Sequence, residues 1–112
     1  MKIALYIKES IEESEELSTL LISKISEYNL EFDQENPDVV IVVGGDGTLL
    51  RAVHEYIDRA EDIAFVGIHQ GTLGFTCDYR IDELDELFSS LAFNTYSKVN
   101  VNLIEANIFV PL

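Results

Sequence analysis

Residues 38–50 read Asp38-Val39-Val40-Ile41-Val42-Val43-Gly44-Gly45-Asp46-Gly47-Thr48-Leu49-Leu50. The segment up to Val43 is a β-branched run with no polar alternation, the pattern of a strand covered on both faces, as in a parallel sheet. It stops abruptly at the glycines. A helix is then expected to begin near Thr48 and run to Ile57, because Leu50, Val53 and Ile57 recur on one helical face. A second apolar strand is expected over residues 63–68. The order strand, glycine turn, helix, strand is the unit from which alternating α/β sheets are built.

The flanking segments repeat that alternation. Residues 2–8 are dense in Ile, Leu and Tyr and predict a first strand. Ser10 and Glu13 follow at capping-box spacing, so a helix is expected over residues 10–28 with Leu17, Leu20, Leu21, Ile25 and Tyr28 on its inner face. Glu12, Glu13, Glu15 and Glu16 crowd its first turns, where carboxylates favour the positive end of the helix dipole. Asn29 is a stop signal, and Leu30 with Phe32 predicts a short edge strand. Beyond residue 68, a second glycine loop spans residues 70–75. A helix over 82–91 follows, with Leu84, Leu87, Phe88 and Leu91 on one face, and then a last strand over 96–105. These elements imply an α/β fold with an open, mostly parallel sheet, flanking helices and right-handed crossovers. Ligands of such sheets bind beyond the carboxyl ends of the strands, where both glycine loops fall.

Composition narrows the function. A chain of 112 residues with 47% hydrophobic and 25% charged residues is expected to form one globular domain over residues 1–112. Its net charge of −14 argues against broad electrostatic binding of nucleic acid or an anionic membrane. No apolar stretch approaches the roughly 20 residues needed to span a bilayer. The single Cys77 forms no internal disulfide, no motif marks it as a nucleophile, and the N-terminus carries no signal-like segment, so a cytoplasmic protein is expected. The acidity also means that a phosphate ligand needs backbone N–H groups, a bound cation or basic residues from elsewhere.

The glycine turn suits such a ligand. Gly44 and Gly45 leave no side chain between backbone and ligand, and the helix that follows offers unpaired N–H groups and a positive dipole end. Asp46 would repel a phosphate unless it holds Mg²⁺ or accepts a proton from an attacking hydroxyl, and both roles belong to phosphoryl transfer. The alternative is that Asp46 only caps the helix and the glycines only make a tight turn. Arg51 and His54 read as surface residues. The run Asp82, Glu83, Asp85, Glu86 reads as the wet face of a helix and not as a metal site.

The motif Gly44-Gly45-Asp46-Gly47-Thr48 resembles the GGDGT loop of NAD kinases, of diacylglycerol and sphingosine kinases and, in a close variant, of 6-phosphofructokinases. The second loop, His69-Gln70-Gly71-Thr72-Leu73-Gly74-Phe75, is similar to the element that follows GGDGT in NAD kinases, and the resemblance extends from Met1 to about Asn102. It implies a Rossmann-like N-terminal domain, related to the phosphofructokinase-like fold. The implied activity is transfer of a phosphoryl group from ATP, or polyphosphate, to the 2′-hydroxyl of NAD with Mg²⁺. Asp46 would activate that hydroxyl. Gly44, Gly45, Gly47 and Thr48 would lie along the phosphates, and Phe75, with Leu49 close by, would pack near the adenine. Without the resemblance Phe75 reads as a core residue, and His69 as a structural hydrogen-bond partner.

NAD kinases continue with an Asn-Glu pair, a Gly/Ser/Thr-rich stretch and an all-β C-terminal domain, none of which is found in these residues. The chain is therefore expected to be an N-terminal fragment, inactive alone, of an enzyme that is a homodimer or homotetramer when complete. Two other readings stay open: a lipid- or sugar-type kinase sharing GGDGT, and a non-catalytic nucleotide-binding α/β module.

Overall fold

A computed structural model describes residues 1–8, 14–44, 46–59, 62–69, 77–80, 83–93, 96–101 and 106–111. Its strands are β1 (Lys2–Ile7), β2 (Glu31–Phe32), β3 (Val39–Val43), β4 (Ala64–His69), β5 (Cys77–Arg80), β6 (Tyr96–Val101) and β7 (Ala106–Pro111), and its helices α1 (Ser14–Glu27), α2 (Asp46–Glu55) and α3 (Leu84–Phe93). The seven strands form one sheet in the order β2-β1-β3-β4-β7-β6, with β5 also on β4. All pairs are parallel except β6 with β7. One edge of β4 is shared: Ala64 and Phe65 pair with Asn107 and Ile108 of β7, whereas Gly67 to His69 pair with β5.

The fully buried β3 explains the layering. Val39, Ile41 and Val43 face one way, among Ile3 and Leu5 of β1, Leu17, Leu21 and Ile25 of α1, and Leu84, Leu87, Phe88 and Leu91 of α3. Val40 and Val42 face the other way, among Ala4, Phe65 and the Leu49, Ala52 and Val53 stripe of α2. The period of two along the strand thus assigns α1 and α3 to one face and α2 to the other. The first pair is further joined by Lys24, whose Nζ lies 2.6 Å from Asp85 Oδ1, and by Tyr28 stacked on Phe88 at 6.0 Å between ring centroids.

Several details depart from expectation. Helix α2 begins at Asp46, not near Thr48, and its inner stripe is Leu49, Ala52 and Val53. Leu50 and Ile57 are 47% and 51% exposed, the latter in a 3₁₀ turn (Ile57–Arg59) beyond the helix end. The expected stripe followed side-chain size and passed over Ala52, whose small side chain lets the helix approach the sheet. Leu20 of α1 is likewise 44% exposed, because Leu17, Leu21 and Ile25 supply the inner row. The expected last strand ends at Val101, and β5 and β7 were not anticipated.

The short connection between β2 and β3 finishes the sheet edge. Strand β2 has only two residues, so the backbone of Leu5 on β1 lies beyond its reach. The Gln34 side chain takes the missing strand's place: its Nε2 donates to Leu5 O at 3.0 Å and its Oε1 accepts from Leu5 N–H at 2.5 Å. Tyr56 donates its hydroxyl to Gln34 O at 2.7 Å and so ties the end of α2 to the same connection. Asp33 Oδ1 accepts from the N–H groups of Asn36 at 2.9 Å and Glu35 at 3.0 Å. The Asn36 N–H is the main cause that holds its carboxyl below the usual carboxylate value, with Glu35 N–H and Lys2 adding to it against some desolvation.

Replacing Gln34 with Ala strands a part-buried donor and acceptor on β1. Denaturant unfolding is expected to show a loss of about 1–3 kcal/mol with an unchanged m-value. Asp33→Asn keeps an acceptor but removes the charge. Because the folded-state value of Asp33 lies below its ordinary 3.8, the ionised group stabilises above that pH and its contribution is lost as pH falls through the folded value. The variant should therefore be less stable than wild type at neutral pH, with the gap closing at strongly acidic pH in thermal melts.

Candidate functional site

Strand order reverses between β1 and β3. From β1 the chain passes through α1 to β2 on the outer side; from β3 it passes through α2 to β4 on the other side. The connections leaving the carboxyl ends of these neighbouring strands therefore diverge to opposite faces and leave a crevice between them, the place where open α/β sheets bind ligands. Backbone hydrogen bonds hold its floor: Lys8 N–H donates to Val43 O at 3.0 Å and Gly44 N–H to Ile68 O at 3.2 Å.

Gly44 makes the turn out of β3 with φ +152°, a backbone conformation that favours glycine. A Cβ there would sit 2.5 Å from Thr48 Oγ1 and 2.8 Å from Thr48 Cβ. Thr48 is 4% exposed, the buried polar side chain among the described residues. It packs under Gly44, so a ligand above the turn meets its backbone and not its side chain. Leu49 is also 4% exposed, in the core between α2 and the sheet, where it anchors the helix. Gly47 is exposed, and nothing lies within 4 Å of a Cβ built on it. One glycine is thus required by the fold and the other opens the helix surface.

The structure places Gly44, Asp46, Gly47 and Thr48 at the turn from β3 into α2, with Asp46 the first residue of the helix, whereas Leu49 is buried in the core between α2 and the sheet. The first-turn N–H groups of that helix have no intrahelical acceptor and face the crevice end. Gly45 and Phe75 lie outside the described residues, as does the rest of the second glycine loop from Gln70 to Gly74; His69 ends β4 at the same sheet edge. Arg51 and His54 are exposed on α2. Among the described residues, no three His, Cys, Asp or Glu side chains gather as a metal-ion cluster, and no helix is long and apolar enough to cross a membrane.

Sequence reasoning missed Lys8. It lies at the carboxyl end of β1 and is exposed beside the Gly44 turn. The signal was present as the last residue of the first apolar run. Its place beside the Gly44 turn needed the strand order, which sets β1 beside β3.

Comparisons with known proteins agree with this layout. The sequence model of the ATP-NAD kinase N-terminal domain matches residues 4–96. NAD kinase 1 of Listeria innocua is 43% identical over 97 residues, covering 87% of this chain and 37% of that protein. NAD kinase 1 of Halalkalibacterium halodurans is 47% identical over 95 residues, covering 81% of this chain and 36% of that one. NAD kinase of Leuconostoc mesenteroides is 41% identical over 108 residues, covering 96% of this chain and 40% of that one. The chain therefore spans less than half the length of the curated relatives it matches. Among solved structures, yeast NADH kinase complexed with NADH superposes with a TM-score of 0.69 at 15% identity, over 89% of this chain and 40% of that one, which shows a shared fold.

The two described glycines should respond oppositely to substitution. Gly44→Ala forces a side chain into Thr48 at an unfavourable φ and is expected to destabilise by about 1–3 kcal/mol. Gly47→Ala meets no atom and should leave stability unchanged or raise it by about 0.5–1 kcal/mol, since it replaces a helical glycine. Urea unfolding of both variants measures this contrast.

Proposed function

Because this chain belongs to the NAD kinase family through its ATP-NAD kinase N-terminal domain, we propose that it supplies the phosphate-holding half of an enzyme that phosphorylates NAD on its 2′-hydroxyl. The observation that carries this reading is the direct passage of buried β3 through Gly44 into the first turn of α2 at the point where strand order reverses. The proposed reaction is in-line transfer of the γ-phosphoryl of ATP; polyphosphate is the alternative donor. The ribose 2′-oxygen bonds to phosphorus, the bond to the departing ADP breaks, and the hydroxyl proton passes to Asp46.

Gly45, Gly47 and Thr48 would hold phosphate through backbone N–H groups, with Gly44, whose own N–H is held by Ile68 O, lining the phosphates without a side chain, and Phe75 would pack on the adenine with Leu49 fixing the helix behind it. The described residues form no cage for a divalent cation. Mg²⁺ is proposed to arrive bound to the phosphates, neutralising their charge. In this reading residues 1–112 are one domain of a cytoplasmic homo-oligomer. The chain spans 37% of the Listeria innocua relative, which supports a site whose remaining walls lie in further chain, so these residues alone are expected to turn over slowly or not at all. A non-catalytic nucleotide-binding module would share the crevice but have no rate to lose.

The test is NADP formation from NAD and Mg-ATP at high protein concentration, alongside direct binding of each nucleotide. Asp46→Asn should lower any turnover by about 10²–10⁴-fold while leaving NAD affinity within a few-fold of wild type. Equal rates for the two proteins would remove Asp46 from the chemistry. Failure of wild type to bind either nucleotide would count against the phosphate-holding role itself.

A further inference from the structure

We infer that Lys8 is a phosphate-binding residue of this site, the cation that lets a strongly acidic chain hold a nucleotide polyphosphate at the Gly44 turn. The inference rests on the proposed function and adds a residue to it. Three independent observations converge on Lys8.

Position comes first. Strand β1 pairs in register with β3, Ile7 opposite Val43, and Lys8 N–H then donates to Val43 O at 3.0 Å. The Lys8 backbone is therefore a direct neighbour of the residue that precedes Gly44, at the carboxyl edge and at the crevice where the β1 and β3 connections part.

Facing comes second. Along β1, Ile3 and Leu5 belong to the core beneath α1 and α3, with Ile7 packed against it, whereas Ala4 belongs to the core beneath α2, with Tyr6 packed against that side. Continuing the alternation by one residue puts Lys8 on the face of α2, whose N-terminal turn begins at Asp46. An extended lysine and the first-turn N–H groups of α2 would then approach one anion from two sides.

Charge availability comes third. Lys2 lies 3.8 Å from Asp33, Lys24 lies 2.6 Å from Asp85, and Arg59 donates to Asn36 Oδ1 at 3.1 Å. Among the described side chains, Lys8 and Arg51 are the basic residues that make no ion pair or side-chain hydrogen bond, and Arg51 lies past the first turn of α2 on its exposed side. In a chain with a net charge of −14, an unpaired cation at the crevice offsets repulsion that the helix terminus must otherwise meet alone.

Binding of tripolyphosphate, Mg-ATP and NAD to wild type, Lys8→Gln, Lys8→Arg and Lys2→Gln tests the assignment by calorimetry, with thermal melts alongside. Lys2→Gln changes net charge equally at the opposite end of β1. Lys8→Gln is expected to weaken binding about tenfold with an unchanged melting temperature, Lys8→Arg to restore most of it, and Lys2→Gln to bind like wild type. The weakening should shrink at high salt. Loss confined to Mg-ATP and tripolyphosphate would place Lys8 on the donor; loss for NAD as well would place it where both phosphate chains pass. Wild-type affinity in Lys8→Gln, or equal losses in Lys8→Gln and Lys2→Gln, overturns the inference while leaving the proposed function standing. Absence of binding by wild type to all three overturns both.

Discussion

A strand with apolar side chains on both faces must be covered on both faces, and β3 imposes that requirement on everything around it. Its five residues are all buried. One face demands α1 and α3, the other demands α2, and the neighbours β1 and β4 must run parallel to it because the helical crossovers that supply the cover return the chain to the same end. The functional edge follows from the same constraint. A strand buried this deeply can meet solvent only at its ends, and at its carboxyl end the chain must turn at once into the helix that covers it. Gly44 makes that turn, with Thr48 packed beneath it.

The site that results is electrostatically spare. The chain carries seven basic residues against twenty-one acidic ones, and three of the described cations are engaged in holding secondary structure together. Lys24 couples α1 to α3, Lys2 supports the Asp33 turn, and Arg59 holds the connection between β2 and β3. What remains at the crevice is backbone: a glycine turn, the open N–H groups of one helix end, and Lys8 beside them. Backbone dipoles suit the proposed anion binding because they attract anions without adding a group that neighbouring carboxylates would neutralise.

Much of this was legible in the sequence because it depends on period and punctuation. The run from Val39 to Val43, the glycines after it and the stripe Leu84, Leu87, Phe88 and Leu91 all read directly as structure. Size misled where proximity mattered: Leu50 and Ile57 were expected inside α2, yet Ala52 is the residue that brings the helix against the sheet. Strands β5 and β7 were missed for another reason. Their pairing to two halves of one β4 edge is a non-local choice that no local pattern encodes. Lys8 was hidden likewise, since a lysine at the end of a strand acquires meaning only from the strand beside it.

The central claim is that anions are held by backbone at the exit of β3 and the start of α2. The most direct measurement is a ¹⁵N–¹H correlation titration of the 112-residue chain with NAD and with Mg-ATP, following every assigned amide. The account predicts that the largest shifts fall on Gly44, Asp46, Gly47 and Thr48, with Lys8 and the end of β4 next, and that α1 and α3 stay still. Shifts centred on α1 or α3, or none at the glycine turn at saturating nucleotide, would contradict it.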